Sequence, residues 1–349
     1  MTFILFVLIF GIVVISHEFG HFLLAKMNGI HVVEFSVGMG PTLIGFTRGD
    51  TKYSLKLLPI GGACMFEGED GLNVQEGEES EGSFNKANVW ARISTVVAGP
   101  LFNFILGAII AMIMVSMIQI NLPVIKVSEG GPALEAGLET GDRILALNDE
   151  KVYLFEEMML FNRVNGGKPV EVTFEREGEV LETTLQPVYN EESANYIFGV
   201  YCDQVAEEKG IARLKYAWYE IRYSVKSTYK SLSMLLRGQV KSDEVAGPVG
   251  IAVNVVGKTY TATKEYGWQT VLVNMMNITL LLTINLGIIN LLPIPALDGG
   301  RLIFMLLEVV RGKPIPPEKE GMVHFAGLVF FMALMVLILF NDLKNIFIS

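Results

Sequence analysis

The fold is decided by residues 2–25, which read TFILFVLIFGIVVISHEFGHFLLA. These 24 residues contain no Lys, Arg or Asp, and at about 1.5 Å per residue they are long enough to cross a bilayer as a helix. Yet they include His17, Glu18 and His21, and ionisable groups in hydrocarbon are costly unless they bind something. We therefore predict a transmembrane helix, assigned to residues 1–30, that carries a functional site.

The spacing of the polar residues indicates what they bind. His17 and His21 are four positions apart, so on a helix they project from one face with Glu18 beside them. In the H-E-x-x-H pattern the histidines bind zinc and the Glu handles the proton of an attacking water. A chance match and the apolar region of a signal peptide are the alternatives. The latter fits poorly, because apolar sequence resumes at Phe22 and no small-residue cleavage site follows.

Composition indicates a membrane protein with room for a soluble domain. The 349 residues are 51% hydrophobic and 18% charged, with a mean hydropathy of +0.43. A net charge of −10 argues against a nucleic-acid partner, because phosphate binding needs clustered Lys and Arg. The cysteines, Cys64 and Cys202, lack C-x-x-C spacing and suggest neither a disulfide framework nor a thiolate zinc site.

Further stretches almost free of charge predict three more transmembrane helices, at residues 93–121, 267–300 and 322–342. Four spans put both termini on the same side of the membrane. The excess of Lys and Arg near the membrane places residues 26–92 and 298–321 in the cytosol and both termini outside. The predicted fold class is thus a polytopic α-helical membrane protein with four transmembrane helices.

The segments between the spans have distinct characters. Residues 31–66 read as short strands broken by glycines, which predicts a membrane-associated β-hairpin loop; a strand pair packed on the cytosolic helix ends is the alternative. Residues 67–92 form an acidic cytosolic loop. Residues 213–237 form an amphipathic helix, predicted to lie at the membrane interface and contact lipid, or else to pack against the soluble domain.

Residues 122–205 read as short strands, a short helix and tight turns, and they resemble a PDZ domain of the bacterial permuted kind. The segment 141–148, GDRILALN, carries much of this resemblance. An inserted α+β PDZ domain implies a sheet edge that accepts an extended peptide, including a peptide carboxy terminus, and residues 197–200 resemble the strand and turn of that groove. A PDZ fold that acts only as a steric spacer is the alternative.

A zinc ion held by two histidines needs a further protein ligand if it is to keep one position for water. Residues 290–301, NLLPIPALDGGR, supply the candidate. Pro293 and Pro295 must break the third span, and Asp298 is the next charge after a long uncharged window. Alternatively, Asp298 only caps the following helix. His31 and His324 are other candidate ligands.

HEFGH in a first span and NLLPIPALDGG in a later one together resemble the site-2 protease family of intramembrane zinc metalloproteases. The PDZ insertion and the Gly-Gly β-loop resemble its bacterial branch that includes the regulator of sigma-E protease. The resemblance implies zinc on His17, His21 and Asp298, Glu18 as catalytic acid/base, and Asn290, Pro293 and Pro295 near the substrate. Asn103, which follows a matching Gly99-Pro100, is either part of the substrate site or a hydrogen-bonding residue between helices.

The implied activity is hydrolysis of a peptide bond in the transmembrane segment of a single-span membrane protein, such as a trimmed anti-sigma factor or a remnant signal peptide. The enzyme would sit in the bacterial plasma membrane with its active site towards the cytosol and its PDZ domain outside. A PDZ escort without protease activity should have lost Glu18 or a ligand, and both are intact. A metal transporter should show paired broken helices, whereas only the third span is broken.

Overall fold

The computed structural model describes residues 1–69, 80–191, 195–206, 210–240 and 245–347. The chain forms two compact units: unit 1 is Met1–Ile110 with Val240–Ser349, and unit 2 is Ala111–Gln239. The helices are α1 (Thr2–Met27), α2 (Val89–Met117), α3 (Pro132–Glu135), α4 (Phe155–Asn165), α5 (Ala212–Leu236), α6 (Pro248–Gly250), α7 (Lys258–Thr263), α8 (Trp268–Asn290), α9 (Asp298–Arg311) and α10 (Pro317–Phe347).

The strands are β1 (Val32–Arg48), β2 (Thr51–Phe66), β3 (Ile120–Asn121), β4 (Ile125–Val127), β5 (Arg143–Leu147), β6 (Glu150–Lys151), β7 (Val170–Arg176), β8 (Glu179–Leu185), β9 (Val188–Asn190), β10 (Asn195–Ile197), β11 (Val200–Cys202) and β12 (Val205–Ala206). Among the described residues, four helices are long and apolar enough to cross a membrane, namely α1, α2, α8 and α10. Part of the predicted acidic loop, residues 70–79, lies outside the described residues.

The helix limits differ from the predicted spans for physical reasons. Helix α2 begins at Val89, earlier than predicted, because the Asn88 side chain accepts a hydrogen bond from the Trp90 N–H and Arg92 is neutralised inside the helix by Glu308. The predicted third span, residues 267–300, is broken in the region of the two prolines, as the sequence predicts. Helix α8 ends at Asn290, ahead of the two prolines, and a separate helix, α9, follows.

Residues 31–66 form two long antiparallel strands rather than the short strands predicted. Strands β1 and β2 have 17 and 16 residues, and residues 34–37 of β1 pair with two segments of β2, residues 52–55 and residues 62–65. The two long strands therefore bend back on each other, and the register is interrupted between the paired segments. Gly38 and Gly40 adopt φ values of +87° and +89° at one of these irregularities. Leu43 and Ile44 are exposed, and contact of this hairpin with lipid stays a prediction.

Small residues bring the apolar helices of unit 1 close together. A Cβ at Gly20 of α1 would collide with the carbonyl of Ala98 in α2. Ser16 donates a hydrogen bond to the Phe102 carbonyl at 3.1 Å, and Thr283 of α8 donates one to the Asn103 carbonyl at 3.1 Å. These contacts hold α1, α2 and α8 in a fixed arrangement.

A helical segment that the sequence analysis did not predict packs onto the same bundle. It comprises α6, a π-helical stretch Ile251–Gly257, and α7. Val256 of this segment is buried against Ile9 of α1 and Met275 of α8. The buried Asp342 of α10 accepts hydrogen bonds from the backbone N–H groups at the start of the segment.

Unit 2 is built on a four-stranded antiparallel sheet in the order β6-β5-β7-β8. Alternate residues of β7, Val170, Val172 and Phe174, point into its hydrophobic core. Asp142 is almost fully buried and is paired with Arg176 at 2.7 Å, which satisfies the buried charge.

Helix α5 belongs to unit 2, and its basic side chains contact acidic residues of α4 and β6, which agrees with the predicted alternative of packing against the soluble domain. Lys226 and Lys230 pair with Glu150 at 2.8 and 2.6 Å, and Arg222 pairs with the buried Glu157. These cations are therefore engaged by the domain rather than displayed for lipid headgroups. Other α5 side chains, including Trp218, are exposed, so contact with lipid on that face stays a prediction.

Candidate metal centre

The centre starts with two histidines on one face of α1. His17 and His21 lie one turn apart, and only 6% and 7% of their surfaces are exposed. Their Nε2 atoms are 3.2 Å from each other, and their rings meet edge to face. Two ring nitrogens are thus aimed at one point inside the helix bundle.

A carboxylate from α9 completes the group. Asp298 is the first residue of α9, but it does not cap this helix, because the N-cap position is Leu297 and no side-chain hydrogen bond caps it; the Asp298 side chain faces the histidines instead. Its Oδ2 lies 3.1 Å from Nε2 of His17 and 3.4 Å from Nε2 of His21. Gly299 and Gly300 pack so tightly against the carbonyls of Leu292 and Ile294 that neither position has room for a Cβ. The glycines therefore let the loop fold back and deliver Asp298.

These three atoms fit a zinc ion. Zn–N and Zn–O bonds of about 2.0–2.2 Å in a tetrahedron put neighbouring ligand atoms about 3.3–3.5 Å apart. The three observed separations, 3.1, 3.2 and 3.4 Å, are close to that spacing. Among the residues that the structure describes, His17, His21 and Asp298 are the group of ligand-type side chains close enough to share one ion.

Each imidazole also makes a contact through its other ring nitrogen, Nδ1, and these contacts orient the two rings. Nδ1 of His21 lies 2.9 Å from the Thr95 carbonyl, which only accepts, so Nδ1 carries the hydrogen and the lone pair of Nε2 faces Asp298. Nδ1 of His17 lies 3.1 Å from the amide of the fully buried Asn103, whose Oδ1 receives no hydrogen bond. Turning that amide over directs Oδ1 at an Nδ1–H of His17, which satisfies both groups and gives both rings the same tautomer.

Glu18 lies beside the three side chains in a cavity of about 400 Å³. The backbone N–H of Cys64 in β2 donates a hydrogen bond to the Glu18 carboxylate. Gly62 sits so close to α1 that a Cβ there would lie 2.9 Å from Cγ of Glu18. Strand β2 therefore fixes the carboxylate. Burial raises the pKa of the Cys64 thiol, which keeps this residue neutral beside the centre.

Comparison with known proteins settles the family. The model of peptidase family M50 matches residues 5–334 of the 349-residue chain. The chain belongs to peptidase family M50. This M50 protease is 32% identical to the regulator of sigma-W protease RasP of Bacillus subtilis over 99% of both chains. It is 33% identical to a putative zinc metalloprotease of Clostridium acetobutylicum, over 96% of this chain and 95% of the relative.

The resemblance to the site-2 protease family is thereby confirmed. The chain is a zinc-dependent protease of the intramembrane kind, and its four long apolar helices agree with a membrane location. A third relative, a putative zinc metalloprotease of Clostridium perfringens, is 34% identical over 98% of both chains.

Of the other predicted site residues of this M50 protease, Asn290 lines the cavity, whereas Pro293, Pro295 and Asn103 do not. Asn290 lines the cavity, with Nδ2 3.3 Å from Nε2 of His17. Pro293 is exposed and Pro295 packs against Gly327, so the residues that reach the cavity from this loop are their neighbours Ala296 and Leu297. Asn103 lies behind His17 rather than in the cavity.

Neither of the other candidate ligands joins the metal centre of this M50 protease. Nδ1 of His31 lies 2.8 Å from Glu67, and Nδ1 of His324 accepts a hydrogen bond from the Ala296 N–H at 3.0 Å. Both rings therefore serve as contacts elsewhere, and the group close enough to share an ion does not include them.

Sequence reasoning missed several residues of the site. Thr95 and Cys64 act through their backbone, which leaves no side-chain signal. Arg301 and Glu69 line the cavity and form an ion pair with each other. Arg301 directly follows the Asp-Gly-Gly motif, and that position could have drawn attention to it, whereas Glu69 stands in an acidic stretch with nothing to mark it.

Proposed function

We propose that His17, His21 and Asp298 hold the catalytic zinc of this protease. The triangle of ligand atoms, with sides of 3.1 to 3.4 Å, carries the proposal. Zinc in such a site polarises a peptide carbonyl and lowers the pKa of a bound water towards about 7. The Thr95 carbonyl and Asn103 hold the two imidazoles with Nε2 turned towards the shared point.

Glu18 is the proton carrier in this proposal. It follows His17 in the chain, lines the same cavity, and is held by the Cys64 N–H. Its carboxylate takes a proton from the attacking water and then delivers it to the leaving amine. Because the hydrogen bond from β2 fixes the carboxylate, no reorientation is needed between the two transfers.

The substrate that we propose is the transmembrane segment of a single-span membrane protein. A helical segment hides its carbonyls in its own hydrogen bonds, so it must be extended before cleavage. Residues 61–66 of β2 line the cavity with extended backbone, and Asn290 faces them from α8. Residues 62–66, at the end of β2, pair with β1 on one side only, and their other side has no strand partner among the described residues, so an extended substrate can pair there. Pro293 and Pro295 shape the loop whose residues Ala296 and Leu297 also line the cavity.

Further parts of the proposal concern topology and unit 2. Residues 26–92 and 298–321 are cytosolic, and both termini and residues 122–205 are outside. Residues 122–205 act as a PDZ domain that accepts a peptide carboxy terminus or excludes untrimmed substrates. The Bacillus subtilis relative is named for the regulation of sigma-W, and by analogy a trimmed anti-sigma factor is the first client to test, with a remnant signal peptide as the second.

The decisive experiment compares Glu18→Gln with the wild-type protein on a single-span model substrate in proteoliposomes. We expect cleavage to be lost while bound zinc, measured by metal analysis, stays near one per chain. Glu135→Gln, an exposed acid of unit 2, is the matched control and should cleave normally. A chelator should abolish wild-type cleavage, and zinc should restore it. Full cleavage by Glu18→Gln would refute the role of Glu18. The same variant can trap clients for identification.

A further inference from the structure

Helix α10 accepts a hydrogen bond from the loop before α9, two residues ahead of Asp298 in the metal centre. The backbone N–H of Ala296 donates a hydrogen bond to Nδ1 of His324 at 3.0 Å. His324 is 6% exposed. Because Nδ1 accepts, the neutral ring carries its hydrogen on Nε2. The sequence analysis considered His324 as a metal ligand; the structure instead makes it a hydrogen-bond acceptor for the loop.

Ala296 needs such support because of its backbone conformation. Its φ is +71°, in the left-handed region that non-glycine residues rarely occupy, since the Cβ approaches the following carbonyl. Residues held in this region persist only where their surroundings fix them. Asp298 stands two positions further along the chain. A change of conformation at Ala296 would therefore swing the Asp298 carboxylate away from the two histidines.

Helix α10 holds the loop at a second point. Gly327 packs against Pro295 so closely that a Cβ would lie 2.6 Å from the Cβ of Pro295. The ring of His324 also lies 5.7 Å from that of Phe304 in α9, centroid to centroid. By contrast, Phe325, the next residue of α10, is 67% exposed. The contacts at this level of α10 thus converge on the loop that delivers Asp298.

We propose that His324 is a positioning residue for the metal centre: its Nδ1 holds Ala296 in the left-handed conformation and thereby directs Asp298 at His17 and His21. The inference rests on the proposed role of Asp298 as a zinc ligand. Metal sites tolerate displacements of only about 0.5 Å in their ligands, so loss of this hydrogen bond weakens zinc binding without removing any ligand.

The test compares His324→Leu with His324→Asn. Leu removes the acceptor, whereas Oδ1 of Asn lies about where Nδ1 was and still accepts. Zinc affinity, measured by competition with a chelator, should fall about 10–100-fold for His324→Leu and stay close to wild type for His324→Asn. Phe325→Leu, a change to the exposed neighbour on α10, is the control and should leave affinity unchanged.

A second readout uses the zinc-free protein. Hydrogen exchange at the Ala296 amide should be about fivefold faster or more in His324→Leu, and near wild type in His324→Asn. Glycine adopts a φ of +71° without strain, so in an Ala296→Gly background the loss of zinc affinity caused by His324→Leu should shrink. Both readouts are independent of proteolysis.

Unchanged zinc affinity and unchanged Ala296 exchange in His324→Leu would overturn the inference. Equal losses in the Leu and Asn variants would overturn the acceptor role. Failure of the proposed ligand set would look different: Asp298→Asn would bind zinc as tightly as wild type, while Ala296 exchange would still respond to His324→Leu. The two failures are therefore distinguishable.

Discussion

The side-chain amide of Asn103 lies 3.1 Å from Nδ1 of His17, while Nε2 of the same ring lies 3.1 Å from Oδ2 of Asp298. One imidazole thus joins a fully buried amide on α2 to the carboxylate on α9. Because the hydrogen bond at Nδ1 decides which nitrogen keeps a lone pair for metal, Asn103 governs how well His17 can bind zinc.

Asn103→Ala should therefore weaken zinc binding by about 10–100-fold, whereas Asn103→Asp, which keeps an acceptor, should lose much less. Chelator competition measures both. Thr283→Val is the matched control: it removes the hydrogen bond to the Asn103 carbonyl but no contact with a histidine. It should cost about 1 kcal/mol of stability and leave zinc affinity unchanged. Equal zinc affinity in Asn103→Ala and wild type would refute this prediction.

Gly62→Ala should reduce cleavage at least about tenfold while zinc stays bound. The added Cβ would lie 2.8 Å from Val14 and 2.9 Å from Glu18, so β2 must move off α1 and release the Glu18 carboxylate. Metal analysis and a cleavage assay on the same sample separate the two effects. Gly11→Ala, at an open position of α1, should behave as wild type. The explanation fails if Gly62→Ala loses its zinc together with its activity.

Removing one partner of the ion pair between Arg92 of α2 and Glu308 of α9 should destabilise unit 1. The paired atoms are 2.5 Å apart, and the side chains are 10% and 16% exposed. Arg92→Met leaves a buried carboxylate without its partner and should lower the free energy of unfolding by about 3 kcal/mol. The double variant Arg92→Met/Glu308→Leu should recover most of this loss. Denaturant unfolding in detergent measures it, and a double variant no more stable than Arg92→Met would contradict the pairing.

The stability of unit 2 should fall as pH rises from about 4.5 to 7, and Glu220 of α5 is responsible. Burial, and then the charges of Glu156 and Glu157, raise the pKa of Glu220 from 4.5 to about 7. Between these values the folded state holds a proton that the unfolded state has released, so increasing pH favours unfolding.

Glu220→Gln removes this effect. Relative to wild type, the variant should gain about 3 kcal/mol in the free energy of unfolding at pH 8 and little at pH 4. Trp218 fluorescence during denaturant unfolding reports on the same helix. Glu135→Gln, on the surface of the same unit, should show no such pH dependence. A gain that is equal at both pH values would show that the charge of Glu220 is not its cause.

The long-range contacts of this protein lay beyond what its residue pattern could predict. The prolines predicted the break after α8, but only the folded loop shows that Ala296 adopts a left-handed conformation held by His324. The basic side chains of α5 were expected at a lipid surface. They pair instead with acids of α4 and β6, because those acids are distant in sequence and close in space.

The residue pattern was enough to predict the four apolar helices, the break in the third span, the family and the residues most suited to bind zinc. The helices follow from the length of the apolar segments, the break follows from the geometry of proline, and the metal-binding residues follow from two motifs, HEFGH and NLLPIPALDGG, that contain zinc-ligand side chains. Tertiary structure alone decided how the site is held: Thr95 and Cys64 contribute backbone groups, and Asn103 faces a histidine from another helix. Every residue except proline carries the same backbone N–H and carbonyl, so only the fold selects which of them meet His21 and Glu18.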